Sequence, residues 1–237
     1  MPLNRDCRAR VTQSLHNAKT RRTLSCTDAG ESRVTNHELL LGVKKQILIL
    51  DGHPDAAPER FIHALASSYR EGAESAGHDT LLLRVADLDF PVLRSQADYQ
   101  RGEPVEPVRR AQGAFDWATH VVILYPLWLG GMPSLLKALL EQMLRPGFAF
   151  SAQKLGRWPV KFHSGKSARI VVTMGMPAVI YRFWFRAHSL RSLQRNILRF
   201  IGFRRVRASL IGGVEVITQE QRKEWLAKMR ELGRAAT

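Results

Sequence analysis

The sequence predicts an α/β protein built on a doubly wound, five-stranded parallel sheet with helices on both faces. Two observations predict it. Five short runs of consecutive apolar residues, rich in Val and Ile, read as strands covered on both faces; half-exposed strands would alternate polar and apolar positions instead. Between these runs lie stretches whose apolar residues recur at helical spacing, so strand and helix alternate over about 190 residues, the pattern of linked βαβ units.

The first strand is Ile47-Leu48-Ile49-Leu50, which leaves into the loop Asp51-Gly52-His53-Pro54. Glu59 to Ala76 then reads as a helix, with Phe61, Ile62, Leu65, Ala66, Tyr69 and Ala73 on one side and Gly77 as its stop. Thr80 to Val85 gives the second strand, and the polar, proline-bearing stretch Asp87 to Pro107 a long surface connection. Val108 to Trp117 is a helix leading to the third strand, Val121 to Leu124. Pro126 stops that strand, Gly130 and Gly131 allow a turn, and Pro133 suits the first position of a helix, where no N–H is missed. In that helix Leu135, Leu136, Leu139, Leu140, Met143 and Leu144 share one face, while Ser134, Lys137, Glu141 and Gln142 take the other. Arg145-Pro146-Gly147 opens a loop carrying Phe148, Phe150 and Trp158 as far as about Ser167; loops of this length without secondary structure of their own are usually functional or mobile. Ala168 to Met174 is the fourth strand, ending in Gly175-Met176-Pro177. After the aromatic stretch Tyr181, Phe183, Trp184 and Phe185 comes an amphipathic helix. Leu190, Leu193, Ile197, Leu198 and Ile201 line its apolar face, with Arg191, Arg195 and Arg199 at i, i+4 and i+8. Val206 to Ile211 is the fifth strand, and Thr218 to Leu232 a closing helix that Thr218 and Gln221 start as a capping box.

Residues 1–44 show no sustained periodicity, are rich in Arg, Ser, Thr and Asn, and read as a disordered basic extension to a single domain at 45–237. Asp6, Asp28 and Glu31 count against a transit peptide there, and an upstream start site is an alternative reading. Both cysteines, Cys7 and Cys26, fall in this segment without zinc-like or CxxC spacing, so no metal is expected and a cytoplasmic setting is the default. The net charge is +15, of which +4 lies in residues 1–44. Eight arginines and no acidic residue occupy Arg182 to Arg207. Such a stretch suits the phosphates of a dinucleotide, peripheral attachment to acidic lipid, or docking on a protein, or is simply a solvated face. Nucleic acid is not expected, because the arginines lack interleaved aromatic platforms through most of the helix. No HExxH, phosphate-loop lysine, paired-carboxylate or GxSxG pattern occurs. His63, His78, His120 and His163 read as structural or exposed.

In open α/β sheets ligands bind beyond the carboxyl ends of the strands, at the point where strand order reverses. Three motifs stand at those ends, and each resembles a segment of the flavodoxin-like NAD(P)H dehydrogenase (quinone) family, which includes quinone reductases and ancillary proteins of bacterial potassium-efflux systems. Asp51-Gly52-His53-Pro54 with Arg60-Phe61 is similar to that family's flavin-phosphate loop, with Arg60 where a small hydroxyl residue is usual. Tyr125-Pro126-Leu127-Trp128 with Gly130 through Lys137 resembles its ring-binding signature, with Leu129 in place of a second aromatic. Thr173-Met174-Gly175-Met176 is similar to the segment that embraces the flavin from the next strand.

The resemblance implies a flavodoxin-like sheet in the order 2-1-3-4-5. It also implies a flavin, FMN ahead of FAD, held by His53, Arg60, Phe61, Pro126, Leu127, Trp128, Leu129, Gly130, Thr173, Met174, Gly175 and Met176. Trp128, Phe148 and Phe150 are the expected wall of a substrate pocket, and Tyr181 and His188 the residues expected to assist hydride transfer. The implied reaction is two-electron transfer from NAD(P)H through the flavin to a quinone, in ping-pong fashion and in a homodimer. A regulatory flavoprotein subunit of a potassium-efflux transporter is the alternative.

Overall fold

The computed structural model describes residues 43–151 and 157–237, so the expectations for residues 1–42, both cysteines included, lie outside the described residues. The five strands are β1 (Gln46–Asp51), β2 (Asp79–Arg84), β3 (His120–Pro126), β4 (Ser167–Thr173) and β5 (Arg205–Ile211). They form one parallel sheet in the order β2-β1-β3-β4-β5. All seven residues of β3 are buried, as are five of six in β1 and six of seven in β4. These are the runs whose composition demanded cover on both faces.

That cover comes from two helical layers. On one face, α1 (Phe61–Ser75) and α8 (Gln219–Arg234) enclose Ile47, Ile49, Val122, Leu124 and Val171. The two helices cross at glycine: a Cβ on Gly72 would lie 1.9 Å from the Arg230 carbonyl oxygen, and one on Gly233 2.0 Å from that of Tyr69. The opposite face is covered by α3 (Glu106–Trp117), α4 (Ser134–Met143), α5 (Ala178–Phe183), α6 (His188–Ser192) and α7 (Arg199–Ile201), over Leu48, Leu50, Val121, Ile123, Ile170 and Val172. The capping box at Thr218 forms as expected: its hydroxyl accepts from the Gln221 N–H, while the Gln221 side chain accepts from the Thr218 N–H.

Four local expectations need correction. The connection after β2 is not all loop: Ser95 caps a short helix, α2 (Gln96–Arg101), by accepting from the Asp98 N–H. Pro133 is the N-cap of α4, not its first residue. Gln142 is buried rather than solvated, donating to the Pro91 carbonyl and accepting from Arg145, whose guanidinium also reaches the Gly102 carbonyl at 2.6 Å. The arginine helix is not one regular helix, because a π-helical segment, Leu193–Leu198, separates α6 from α7. Its i→i+5 bonding lets Leu193 and Leu198 both face the core, which regular α-helical phase would not, and leaves Ile197 only partly buried.

Three charged or titratable groups sit inside this core. Arg169, in β4, donates to the Ser209 hydroxyl at 2.8 Å and to the Thr237 carbonyl, tying the last residue to the sheet. His120 and His163 are buried; His120 bonds the Ser167 hydroxyl through Nδ1 but leaves Nε2 without a partner, and neither ring nitrogen of His163 has a hydrogen-bond partner among the described residues. Burial, reinforced by nearby cations, lowers His120 from 6.5 to about 3 and His163 from 6.5 to about 4. Both are therefore neutral in the folded protein, whereas the unfolded chain binds a proton at each as pH falls below about 6.5. Folding stability is full above that pH and falls below it, by about 2 kcal/mol per histidine at pH 5. Urea midpoints should drop between pH 7 and pH 5, and a midpoint constant over that interval would contradict the neutral assignment.

Candidate active site

Parallel pairing sends the loops after β1, β3 and β4 to the same edge of the sheet, and backbone bonds then stitch them together. The Gly52 N–H donates to the Leu124 carbonyl at 2.7 Å, the Leu127 N–H to the Thr173 carbonyl at 2.7 Å, and the Met174 N–H to the Ile211 carbonyl at 2.9 Å. The Gly213 and Val214 N–H groups close on the Met176 and Met174 carbonyls at 3.1 and 3.2 Å, which adds the loop after β5 to the cluster. The three motifs read from the sequence thus become one surface.

At its centre is a tight hairpin. Trp128 and Gly131 exchange both backbone hydrogen bonds at 2.9 Å, which leaves Leu129 and Gly130 as its two central residues. Such a two-residue turn needs positive φ at both positions, and they have it, at 46° and 77°. The expectation had placed this burden on Gly130 and Gly131; it falls instead on Leu129, a residue unsuited to the left-handed region. The turn leaves Leu129 wholly exposed and Trp128 half-exposed, with the Trp128 ring 5.9 Å edge-to-face from His53.

Beneath the β1 loop lies a polar cluster that was not legible in the sequence. Asp51, buried at the end of β1, accepts the His53 backbone N–H at 3.2 Å and bonds to the ring of His63 on α1 through its other oxygen. His63 turns its second ring nitrogen to the Asp55 carbonyl at 3.0 Å. Arg84, from the end of β2, donates to the Ala56 carbonyl at 2.9 Å. Strand end, loop and helix are thereby locked at one point. His63 is structural as expected, but its partner lies twelve positions away in a different element, which no local pattern reports.

Above the cluster, His53 receives the Asp55 N–H at Nδ1, and burial with the neighbouring His63 lowers its pKa. Arg60 pairs with Asp55 at 2.6 Å; the Ala57 N–H and this guanidinium together hold the Asp55 carboxyl below its usual range. Helix α1 starts at Phe61 with no side-chain cap and no acidic residue in its first turn; the His63 N–H is taken by the Arg60 carbonyl at 3.0 Å, and an anion at this end would meet the N–H groups before it. Phe61 is half-buried under the Arg222 guanidinium, 4.9 Å from its ring. Pro126, Thr173 and Met174 are buried, with Gly175 and Met176 beyond them at the edge.

The remaining predicted residues lie elsewhere. Tyr181 is buried, its hydroxyl 2.7 Å from the Ser189 hydroxyl and accepting the Leu190 N–H, so that group is committed to the junction of α5 and α6; His188 is exposed at the start of α6. Phe148 packs on His163 and Phe115, at 5.0 and 6.4 Å between ring centroids. Phe150 meets Phe200 at 5.2 Å and lines a cavity of about 570 Å³ with Leu140, Leu144 and Ile197, and Trp128 is not among the residues around it. A pocket formed by Trp128, Phe148 and Phe150 of one chain is therefore a correction: the loop after α4 folds back over the helices and not toward the hairpin. No cluster of metal-ligating side chains occurs among the described residues.

Residues 45–232 match the family described as the flavodoxin-like fold. The chain belongs to that family. This agrees with the resemblance carried by the three strand-end motifs and with the strand order. Among relatives, the flavodoxin-like chain is 24% identical to an uncharacterized NAD(P)H oxidoreductase of Haemophilus influenzae, over 74% of this chain and 88% of that one. It is 32% identical to the mouse ribosyldihydronicotinamide dehydrogenase [quinone] over 46% of this chain, spanning about half (48%) of that protein. Among solved structures, an NAD(P)H:quinone oxidoreductase from Methanothermobacter marburgensis superposes with a TM-score of 0.67 at 22% identity, covering 81% of this chain and 96% of that one. An FMN-dependent NADH-azoreductase from Bacillus anthracis, in complex with FMN, does so with a TM-score of 0.66 at 15% identity, covering 81% and 99%.

Two measurements probe this geometry. Removing one member of the buried pair, as in His63→Phe, strands the Asp51 carboxylate and should cost about 3 to 5 kcal/mol. The double variant with Asp51→Asn should cost less than the two single losses combined, and additive losses would show that the pair is not coupled. Leu129→Asn keeps the hairpin with a residue that tolerates positive φ and should raise unfolding stability by about 1 kcal/mol in chemical denaturation. A loss of stability would mean that the strain is not there.

Proposed function

We propose that this chain is a flavin-dependent NAD(P)H:quinone oxidoreductase working as a homodimer in the cytoplasm, with residues 45–237 as the oxidoreductase domain. The observation that carries the reading is the hairpin with half-exposed Trp128 set against His53, tied to β4 by the Leu127 N–H on the Thr173 carbonyl, at the carboxyl edge where the strand order reverses. The names borne by the relatives support the activity, and the azoreductase holding FMN supports FMN ahead of FAD.

The residues present suit such a group. The uncapped first turn of α1, with the Arg60 guanidinium beside it, offers N–H donors and positive charge to phosphate oxygens. Trp128, Leu129 and the backbone of Leu127 to Gly130 offer an apolar edge for a planar ring, and Thr173 to Met176 close it from β4. When bound, a flavin supplies two-electron chemistry, taking a hydride equivalent from NAD(P)H and yielding it to a quinone, which also gains a proton. The chain's part is to hold both partners flat against one exposed face in turn, which is the ping-pong order. Of the two residues expected to assist, His188 is exposed at the start of α6, while Tyr181 positions the segment that carries it. Because Phe148 and Phe150 lie away from Trp128 within one chain, a partner protomer is the proposed source of the missing pocket wall.

The purified protein should carry or take up flavin, with acid-released FMN identified by chromatography, and should oxidise NAD(P)H with a quinone acceptor. Trp128→Ala should weaken flavin binding about tenfold, read by fluorescence quenching. Absence of flavin absorbance together with no uptake of FMN or FAD would refute the proposal.

A further inference from the structure

Helix α5 and the turn that leads from it to α6 break the usual rule for apolar side chains. Within seven residues Val179, Ile180, Phe183, Trp184 and Phe185 all stand in solvent, with Phe183 and Trp184 exposed by 70% and 81%. Scattered surface apolars need no explanation, but a contiguous patch of this kind marks a surface that something covers. The patch is rigidly held from below. Tyr181, buried between its exposed neighbours, receives the Leu190 N–H on its hydroxyl and the Ala187 N–H on its carbonyl, at 3.2 and 2.9 Å. The turn closes through two consecutive non-glycine residues at positive φ, Arg186 at 50° and Ala187 at 46°. Such strain persists only where the surrounding structure over-determines it.

Charge gives the occupant its chemistry. Arg182 and Arg186 interrupt the aromatic run, and Arg191, Arg195 and Arg199 extend it along the next helical stretch. All five are exposed, and among the described residues none joins an ion pair. The Arg182 guanidinium lies 5.7 Å from the Phe183 ring centroid, so charge and aromatic area are presented together. Trp and Phe at the depth of lipid headgroups, with arginines reaching phosphate, are the two signals that together hold a protein on an anionic bilayer. A nucleic-acid groove would spread its aromatics among the charges, and here they are massed at one end. No described helix is long and apolar enough to cross a membrane, so attachment would be at the surface.

We propose that the α5–α6 segment, Val179 to Phe185 with Arg182, Arg186, Arg191, Arg195 and Arg199, docks this protein on the surface of an anionic phospholipid bilayer. The aromatic turn enters the headgroup layer and the arginines engage lipid phosphates. The value of this for reaching membrane-dissolved quinones rests on the function proposed above; the docking itself does not.

The test is co-sedimentation of the full chain with vesicles of phosphatidylcholine alone or mixed with phosphatidylglycerol, at low and high salt. No redox assay enters it, so its outcome is separate from that of the flavin experiment. Binding is expected only to the mixed vesicles, weakened by salt. Trp184→Ser with Phe185→Ser, and separately Arg191→Glu with Arg195→Glu, should each lower the bound fraction at least about tenfold. Both pairs are exposed, and unchanged melting curves would confirm that the variants are folded. Absence of sedimentation with mixed vesicles overturns the proposal. So does binding that survives both variant pairs, which would place attachment elsewhere in the chain. A third contrary result is a smaller particle in light scattering for the aromatic variant with vesicle binding unaltered, which would make the patch an interface between copies.

Discussion

The cover of β3 on both faces is the constraint on which the rest depends. A strand with seven buried residues cannot leave a backbone N–H or carbonyl unpaired, so it needs a neighbour on each side, and β1 and β4 supply them in parallel. Parallel pairing forbids short hairpins between consecutive strands and forces each connection through a crossover helix. Those helices are the two layers that keep β3 dry. The direction common to all strands then delivers the loops after β1, β3 and β4 to one edge, so a site there follows from what the core requires.

Several departures from local rules lie at that edge. Leu129 holds a positive φ, α1 starts without a cap, and Trp128 stands half in water. Each lowers stability slightly and would be removed by a sequence shaped for folding alone. The Asp51–His63 pair offsets part of this by fixing the β1 loop to α1 from beneath, with Arg84 reaching in from β2. Polar groups buried this close to the site serve it through geometry: they determine where the His53 and Asp55 backbone lies, while the exposed residues above meet whatever binds.

How much could be read in advance depended on the range of the physics. Strand positions were legible to within about two residues because cover on both faces writes itself into consecutive positions, and Thr218 announced its cap because the partner is three residues away. Gln142 was misread because helical phase says which side a residue faces, not whether a buried carbonyl waits there; Pro91 and Arg145 made the buried place favourable. The π-helical segment was missed because a broad apolar stripe of Leu190, Leu193, Ile197, Leu198 and Ile201 hides the fact that Leu193 and Leu198 are out of α-helical phase, and only the packed core shows that both must be inside.

The sequence by itself determined the sheet, its class, the three strand-end motifs and the concentration of arginine after residue 181, since each is a statement about neighbours in the chain. The tertiary structure decided the rest. It joined Asp51 to His63, set Trp128 against His53, placed Phe148 and Phe150 away from both, and committed the Tyr181 hydroxyl to Ser189 and Leu190. The reason is that contact between residues far apart in sequence is fixed by how helices seat on the sheet. Side-chain type at a given position carries almost no record of that seating.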